Sequence, residues 1–340
     1  MRFTPHLPMV VLTAVWLAVP AFARDVQQWQ VAPYRRAVQV ADIGGKGLRE
    51  ISGLAVSHQS DDLLWAINDG GGGTFLHALG RDGRDRGRVR VVGVRNRDWE
   101  DLASFRLGGS AYLLIADVGD NRSRHRSSIL YVVKEPALHD EKFAEKARAS
   151  LSWVIRFRYD EGPLDCEAVA VDASAKRILL LSKRRFPSLL FELPLVYRGD
   201  DPVAVARRLT EVPHLPRPSS FLRRMVAAGK RSLRDLAFSA TAMDVAGDGS
   251  AAAVLTYGDA FLFPRSADET WAEAFARPPQ RIVLPRLRQA EALAFAPDGQ
   301  TLYVTSEGRS VPLLRLDPKA SRIQSSNAAA TEARGDDEQD

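Results

Sequence analysis

The sequence has few of the residues that usually mark a reaction. Its 340 residues include one cysteine, Cys166, so no intrachain disulfide can form. The negative charge of the adjacent Glu167 disfavours a reactive thiolate, so a small buried residue is the better interpretation of this cysteine than a nucleophile. The six histidines show no metal-ligand spacing, which disfavours zinc. The motifs G-x-S-x-G and H-E-x-x-H are absent, and the glycines at residues 70–73 open no helix, which excludes a phosphate-binding loop.

Long apolar runs are also absent. Residues 9–19 form the longest N-terminal run, which is shorter than the about 18 residues that span a membrane. This run follows the basic Arg2 and precedes Ala21-Phe22-Ala23, a typical signal-peptidase site. The pattern predicts a signal peptide over residues 1–23, a mature chain that begins near Arg24 in the periplasm or outside the cell, and no membrane span after cleavage. An uncleaved anchor is the alternative.

The charge pattern argues against nucleic acid as a partner. The net charge is +5, but the arginines within residues 81–97 are interleaved with acids and lack aromatic neighbours. A solvated charged face is the better interpretation. Residues 321–340 are polar, rich in alanine and acidic, and are predicted to form a disordered tail. The chain is expected to be a monomer whose partner is a small anionic ester or another ligand.

One short unit recurs five times along the chain. Each copy has a polar residue, an apolar strand, a turn and a second apolar strand, the pattern of a β-hairpin. The polar residues that open the five copies, called the first column here, are Ser52, Glu100, Glu167, Thr241 and Glu291. Weaker third and fourth strands follow. The sequence therefore predicts an all-β fold, a β-propeller over residues 24–320, with five blades favoured and six possible.

Four further segments complete this prediction. The last copy lacks a fourth strand, which residues 36–41 are expected to supply, so that the N terminus closes the propeller. Residues 134–150 and 267–276 have helical character. Residues 213–239 form an insert that is expected to overhang one mouth of the channel, with a packed surface helix as the alternative.

A second set of polar residues follows the first column at an offset of 16 or 17 positions. Hairpin strands are antiparallel, so each of these lies beside its first-column partner at the same end of the channel. The second column comprises Asn68, Asp117, Lys183, Tyr257 and Glu307. Turn residues explain some of these positions, but three glutamates at one register are poorly explained as turns. Carboxylates that share an axis need an arginine, Lys183 or a bound cation beside them, or must share protons. An oxygen-rich ring suits Ca²⁺.

Several motifs resemble those of a family of secreted bacterial WD40-like β-propeller proteins, which is similar to the phytase-like esterase propellers. They are Asn68-Asp69-x-Gly-Gly, Asp98-Trp99-Glu100-Asp101-Leu-Ala, Asp117-Val-Gly-Asp120-Asn121-Arg122, Thr256-Tyr257-x-Asp259-Ala and Gln289-Ala-Glu291-Ala-Leu-Ala. The resemblance covers roughly residues 48–316 and departs from the family at Ala290 and in the insert. It implies calcium and the hydrolysis of phosphate esters or other esters.

Two functions remain open at this point. The first is a metal-dependent hydrolase of phosphatase or esterase type, and the second is a propeller that binds a ligand or a protein without catalysis. Candidate catalytic residues are Glu100, Glu167, Lys183 and Glu291. Candidate metal ligands are Glu100, Asp101, Asp117, Asp120, Asn121, Glu167 and Glu291. Candidate substrate-binding residues are Asn68, Asp69, Arg122, Arg184, Tyr257 and Glu307.

Overall fold

The computed structural model describes residues 30–44, 47–216 and 238–319. Three predictions concern segments wholly or mainly outside these ranges: the signal peptide at residues 1–23, the tail at residues 321–340, and the insert at residues 213–239, of which residues 217–237 are not described. None of the helices in the described ranges is long and apolar enough to cross a membrane.

The described strands fall into five four-stranded groups. The N-terminal strand β1 (Val38–Ile43) belongs to the last of them. The first group comprises β2 (Ile51–Val56), β3 (Leu63–Asn68), β4 (Phe75–Gly80) and β5 (Asp85–Val91). The second comprises β6 (Trp99–Leu107), β7 (Ser110–Asp117), β8 (Ser128–Lys134) and β10 (Leu151–Tyr159), while the short β9 (Arg148–Ala149) pairs with β5. The third comprises β11 (Cys166–Asp172), β12 (Arg177–Ser182), β13 (Ser188–Pro194) and β14 (Ala204–Val212).

The remaining two groups complete the sheet topology. The fourth comprises β15 (Ala240–Val245), β16 (Ala251–Thr256), β17 (Ala260–Pro264) and β18 (Gln280–Ile282). The fifth comprises β19 (Ala290–Phe295), β20 (Leu302–Ser306), β21 (Val311–Leu316) and β1. A short parallel pairing of β10 with β14 joins the second and third groups into one sheet.

The first strands of the five groups form a ring. They contact one another in the cyclic order β2, β6, β11, β15, β19 and back to β2. Antiparallel four-stranded sheets arranged around a common axis define a β-propeller, so the prediction of this fold is confirmed. The six-blade alternative placed another unit between Glu167 and Thr241, a region that includes the undescribed residues 217–237.

Strand position within each group explains the hydrophobic patterns. Inner strands such as β2, β3, β11 and β15 are buried at every residue, because both of their faces pack against neighbouring strands and sheets. The outer strand β10 instead alternates: Ile155, Phe157 and Tyr159 are buried, whereas Arg156 and Arg158 are exposed. Alternation with period two is the signature of a strand with one solvated face.

The N-terminal strand closes the last group as predicted. β1 pairs antiparallel with β21, so that Val38 lies opposite Arg315 and Ile43 opposite Val311. The observed strand begins at Val38, two residues after the start of the predicted range 36–41. Ile43 is fully buried in the core between the fifth and first groups, which anchors the closing strand.

One of the two predicted helical segments is a helix. Helix α1 (Trp271–Ala276) begins at the N-cap Thr270, whose side chain forms a capping box with Glu273. The prediction for residues 134–150 was wrong, because the described structure has no helix there and Arg148–Ala149 pair with β5. The helix-like spacing of Phe143 and Ala147 arises because both pack on the core of the first group. The ring centroids of Phe143 and Trp65 are 5.3 Å apart.

Candidate functional site

A β-bulge interrupts each of the five inner strands at the same register. In every case one residue is left without a partner on the second strand, and the five residues skipped are the first column, Ser52, Glu100, Glu167, Thr241 and Glu291. A bulge leaves its extra residue unpaired and turns its side chain away from the regular alternation. The pattern detected in the sequence is thus a repeated bulge that presents five side chains at one end of the ring.

Two members of the first column have a structural role. The Ser52 hydroxyl donates to the carbonyl oxygen of Trp99 at 2.8 Å, and the Thr241 hydroxyl donates to that of Ala290 at 2.9 Å. Each acceptor directly precedes a first-column glutamate on the neighbouring inner strand. These bonds therefore fix the strand segments that carry Glu100 and Glu291.

Three carboxylates lie together beside this end of the ring. Asp69, Asp98 and Glu100 each place one oxygen within 4.8 Å of the others, a set called the carboxylate triad here. Burial, followed by the charge of Asp69, raises the pKa of Asp98 to about 7. Burial and the neighbouring Glu167, Asp69 and Asp98 raise the pKa of Glu100 well above its usual range. Holding all three as carboxylates is therefore costly unless a positive charge joins them.

Glycines keep the surroundings of the carboxylate triad open. A Cβ atom built on Gly119 would overlap the carboxylate oxygens of Glu100 and Asp98, and one built on Gly70 would lie 2.8 Å from Asp98 Oδ1. The backbone therefore approaches the carboxylates as closely as glycine alone permits. Because these two positions carry no side chain, the backbone and the carboxylate oxygens form a cradle that suits a hard cation.

A second cluster, called the lysine network here, adjoins the triad. Lys183 forms a buried ion pair with Glu167, and its Nζ atom donates to the Tyr257 hydroxyl at 3.1 Å. Burial lowers the pKa of Lys183, but Glu167, Tyr257 and Glu291 outweigh this effect and raise it, so the ammonium stays protonated. Burial raises the pKa of Glu291 to about 7, against the opposing effects of Lys183 and a hydrogen bond from Tyr257. Glu291 can therefore accept or release a proton near neutral pH.

Asp101 accepts hydrogen bonds from the backbone of three inner strands. Its Oδ1 accepts from Leu102 N at 2.9 Å, and its Oδ2 accepts from Val169 N at 2.8 Å and Met243 N at 3.1 Å. The residue is fully buried, and it follows the bulge on β6, so its side chain extends across the ring. These contacts give Asp101 a structural role that ties β6 to β11 and β15, and its predicted role as a metal ligand stays a prediction.

Asp117 supports the carboxylate triad from behind. Its Oδ1 accepts from the backbone N of Asp98 at 2.9 Å and lies 3.9 Å from Arg97 Nε. Its Oδ2 accepts from the Tyr131 hydroxyl at 3.5 Å. These contacts hold the backbone of Asp98 in place, and the metal-ligand role of Asp117 stays a prediction.

Asp120 and Asn121, also predicted ligands, stabilise the loop after β7. The backbone N of His125 donates to Asp120 Oδ2 at 2.6 Å, and Arg184 donates to the side chains of Asn121 and Asp165. Arg122, a predicted substrate-binding residue, lines a cleft of about 330 Å³, and Asp98 and Asp120 line the same cleft. Arg184 and Arg122 thus lie on the rim of the site.

The other two predicted substrate-binding residues lie at loop anchors. Asn68 accepts from the backbone N of Arg49 at 3.2 Å and of Glu50 at 3.3 Å, which fixes the loop before β2. Glu307 accepts a hydrogen bond from the Gln289 side chain. Burial, followed by the charges of Glu50 and Asp69, raises the pKa of Glu307.

Sequence reasoning assigned no role to Asp98 or Asp165. Asp98 stands in the quoted motif, two residues before Glu100, but it precedes β6, and the bulge falls at Glu100 itself. The strand pattern alone therefore did not single it out as a partner of Glu100. Asp165 precedes Cys166 and is buried, where it accepts from Asp120 N at 3.1 Å. The available signal was a hydrophilic residue two positions before each first-column glutamate: Asp98, Asp165 and Gln289.

The geometry defines a β-propeller whose inner strands and adjoining loops bring a carboxylate triad and a lysine network to one end of the ring. No known protein-family model matches the chain, and no curated protein matches it. The resemblance to the secreted WD40-like family therefore stays a prediction.

Comparison with solved structures gives low-similarity matches. A luciferin-regenerating enzyme aligns with a TM-score of 0.41 and 11% identity, over 82% of this chain and 95% of that chain. A chain of a nidogen/laminin complex aligns with a TM-score of 0.40 and 13% identity, over 76% of this chain and 72% of that chain. The propeller assignment rests on the strand order and the ring of inner strands.

Proposed function

We propose that this protein is an exported, metal-dependent hydrolase that acts on a small phosphate ester or another anionic ester. The observation that carries the proposal is the carboxylate triad of Asp69, Asp98 and Glu100, placed beside the lysine network. The triad supplies negative charge for a cation, and the network supplies a protonated amine and a carboxyl group that titrates near neutral pH.

Asp69, Asp98 and Glu100 would hold the cation, and Ca²⁺ is the ion that best suits them, because it takes oxygen ligands in variable geometry. When bound, such an ion polarises an ester oxygen and lowers the pKa of a water molecule. The cradle formed by Gly70 and Gly119 supports this assignment, because larger residues there would collide with the carboxylates.

We assign the proton transfer and part of the charge stabilisation to residues of the lysine network. Glu291 would accept a proton from the attacking water, because burial places its pKa at about 7. Lys183, which stays protonated, would stabilise negative charge that develops on the ester. Arg122 and Arg184 on the rim would offset the charge of an anionic substrate.

A turnover assay tests this proposal. Purified protein is assayed against generic phosphate esters and carboxylate esters with calcium and with a chelator. We expect calcium-dependent hydrolysis that falls by about two orders of magnitude or more in Glu291→Gln, as expected for loss of a general base. The exposed Glu145 provides the matched control, since Glu145→Gln makes the same chemical change away from the site.

A non-catalytic binding module is the second candidate. The observation that favours it is the ion pair of Glu167 and Lys183, in which each charge already has its partner, as in a rigid recognition site. If calcium binds but neither class of ester is hydrolysed with or without it, the site is assigned to binding and the hydrolase proposal is abandoned.

A further inference from the structure

A separate cleft of about 500 Å³ lies beside the fifth group of strands. Its walls are the connection that leads into β19 and the turn between β20 and β21. The volume is in the range of small-molecule sites. Three arginines, Arg286, Arg288 and Arg309, contribute to the lining and are exposed to solvent. The cleft with these three arginines is called the arginine cleft here.

The guanidinium groups of the arginine cleft are available to a ligand. None of the three is held in an ion pair with a carboxylate in the described part of the chain, in contrast to Arg281 nearby, which pairs with Asp259 at 2.7 Å. Glu307 is the acidic residue in the lining, and it accepts a hydrogen bond from Gln289. The cleft therefore carries an excess of positive charge whose guanidinium donors are not taken by protein carboxylates.

Hydrogen bonds fasten the two walls of the cleft together. Glu307 N donates to the carbonyl oxygen of Gln289 at 2.9 Å, and Gly308 N donates to that of Arg49 at 3.1 Å. A Cβ atom on Gly44 would overlap the carbonyl oxygen of Arg309, so the Arg309 backbone packs directly on the N-terminal segment. The cleft is therefore preformed, which reduces the entropy cost of binding.

The cleft also adjoins the carboxylate triad. Gly308 N, in the cleft lining, donates to the carbonyl oxygen of Arg49, and Asp69 N donates to that of the next residue, Glu50, at 2.9 Å. A ligand that places one group in the cleft would therefore bring its remaining part close to the carboxylate triad. Guanidinium groups bind phosphate through pairs of parallel N–H···O bonds, and the three arginines that line this cleft come from two separate loops.

We propose that the arginine cleft is a phosphate-binding subsite, which holds a phosphate group of the ligand while another part of the same ligand reaches the carboxylate triad. The inference rests on the proposed function for the placement of the second part of the ligand. It narrows the substrate class to molecules that carry a phosphate in addition to the ester that reacts.

The test is calorimetric titration with inorganic phosphate and with pyrophosphate, in chelator, on the full mature chain. The triple variant Arg286→Gln, Arg288→Gln, Arg309→Gln is compared with the native protein. The control is Arg90→Gln, Arg156→Gln, Arg207→Gln, which removes the same charge from exposed positions on the outer strands β5, β10 and β14. We expect the triple variant to weaken phosphate binding about tenfold or more, and the control to leave it unchanged.

The outcomes separate this inference from the proposed function. Equal phosphate binding by the two triple variants, or no phosphate binding by the native protein at millimolar concentration, would overturn the arginine cleft as a subsite even if calcium binds and esters are hydrolysed. Selective loss in the arginine-cleft variant supports the subsite even if the turnover assay is negative. Circular dichroism melts of both variants check that the propeller is intact.

Discussion

Gly119 is the residue at which the backbone approaches the carboxylate triad most closely. In Gly119→Ala the added methyl group collides with Glu100 and Asp98, so the two carboxylates must move apart. We expect calcium affinity to fall about tenfold or more, or about 1.4 kcal/mol, because the ligands lose their common centre. Isothermal titration measures this change.

Gly247 provides the control for this substitution. A Cβ atom there meets no atom within 4 Å, and its backbone lies outside the left-handed region. Gly247→Ala is expected to leave calcium affinity unchanged. If Gly119→Ala binds calcium as tightly as Gly247→Ala, the cation does not lie among these carboxylates.

Asp244 makes the stability of the fold depend on pH. It accepts from Val245 N and Phe295 N at 2.8 Å, yet its burial raises its pKa to about 7. The folded state therefore holds a proton that the unfolded chain has released above about pH 4. The free energy of unfolding is expected to fall as pH rises from about 4 to 7, by roughly 4 kcal/mol at most from this residue.

Chemical denaturation of the native protein and of Asp244→Asn across this pH range tests the assignment. Asparagine has no titratable proton at this position, so the free energy of unfolding of the variant should fall less steeply with pH than that of the native protein. Equal slopes would mean that Asp244 is ionised in the folded state throughout the range.

Single residues differ in how far the sequence predicts their role. The first column was found from its repeated register, and the structure brings Glu100, Glu167 and Glu291 within electrostatic range of their neighbours. The backbone contacts of Asp101 were not predicted, because composition does not distinguish a carboxylate that faces a ligand from one that accepts backbone N–H bonds. That distinction depends on the bulge before it, which no residue type in the sequence specifies.

At the scale of elements, β1 fastens the N terminus to the last group of strands. Ile43 is fully buried at the end of β1, so Ile43→Ala removes apolar contacts and leaves a cavity. We expect this variant to lose about 2–5 kcal/mol of unfolding free energy, measured by denaturant titration.

Val38 on the same strand is the matched control. Its side chain is 57% exposed, so Val38→Ala is expected to change the unfolding free energy by about 0.5 kcal/mol or less. Equal effects of the two substitutions would show that β1 is not an integral strand of the propeller.

The strands were predictable because their patterns match their positions, continuous for inner strands and alternating for outer ones. The segment at residues 134–150 was not, because Phe143 and Ala147 have the spacing of a helix but contact the side of the first group. Periodicity records which side chains are buried and leaves open which backbone conformation buries them.

At the scale of the whole molecule, the ring of inner strands explains why separate segments of the chain form one site. Asp69, Asp98 and Glu100 come from the first and second groups, while Lys183, Tyr257 and Glu291 come from the third, fourth and fifth. The fold, and the end of the ring where these residues meet, followed from the repeat. The separation of these residues into the carboxylate triad and the lysine network did not, because it depends on distances between loops.

Calcium titration of the chelator-treated protein tests the central claim most directly. The account predicts one calcium ion per chain, with affinity reduced at least about tenfold in Asp98→Asn, because one of three ligand carboxylates is lost. Asp140→Asn, at an exposed position away from the site, should bind as the native protein does. Absence of calcium binding in the native protein, or equal affinity in the two variants, would contradict the assignment of the carboxylate triad as a metal site.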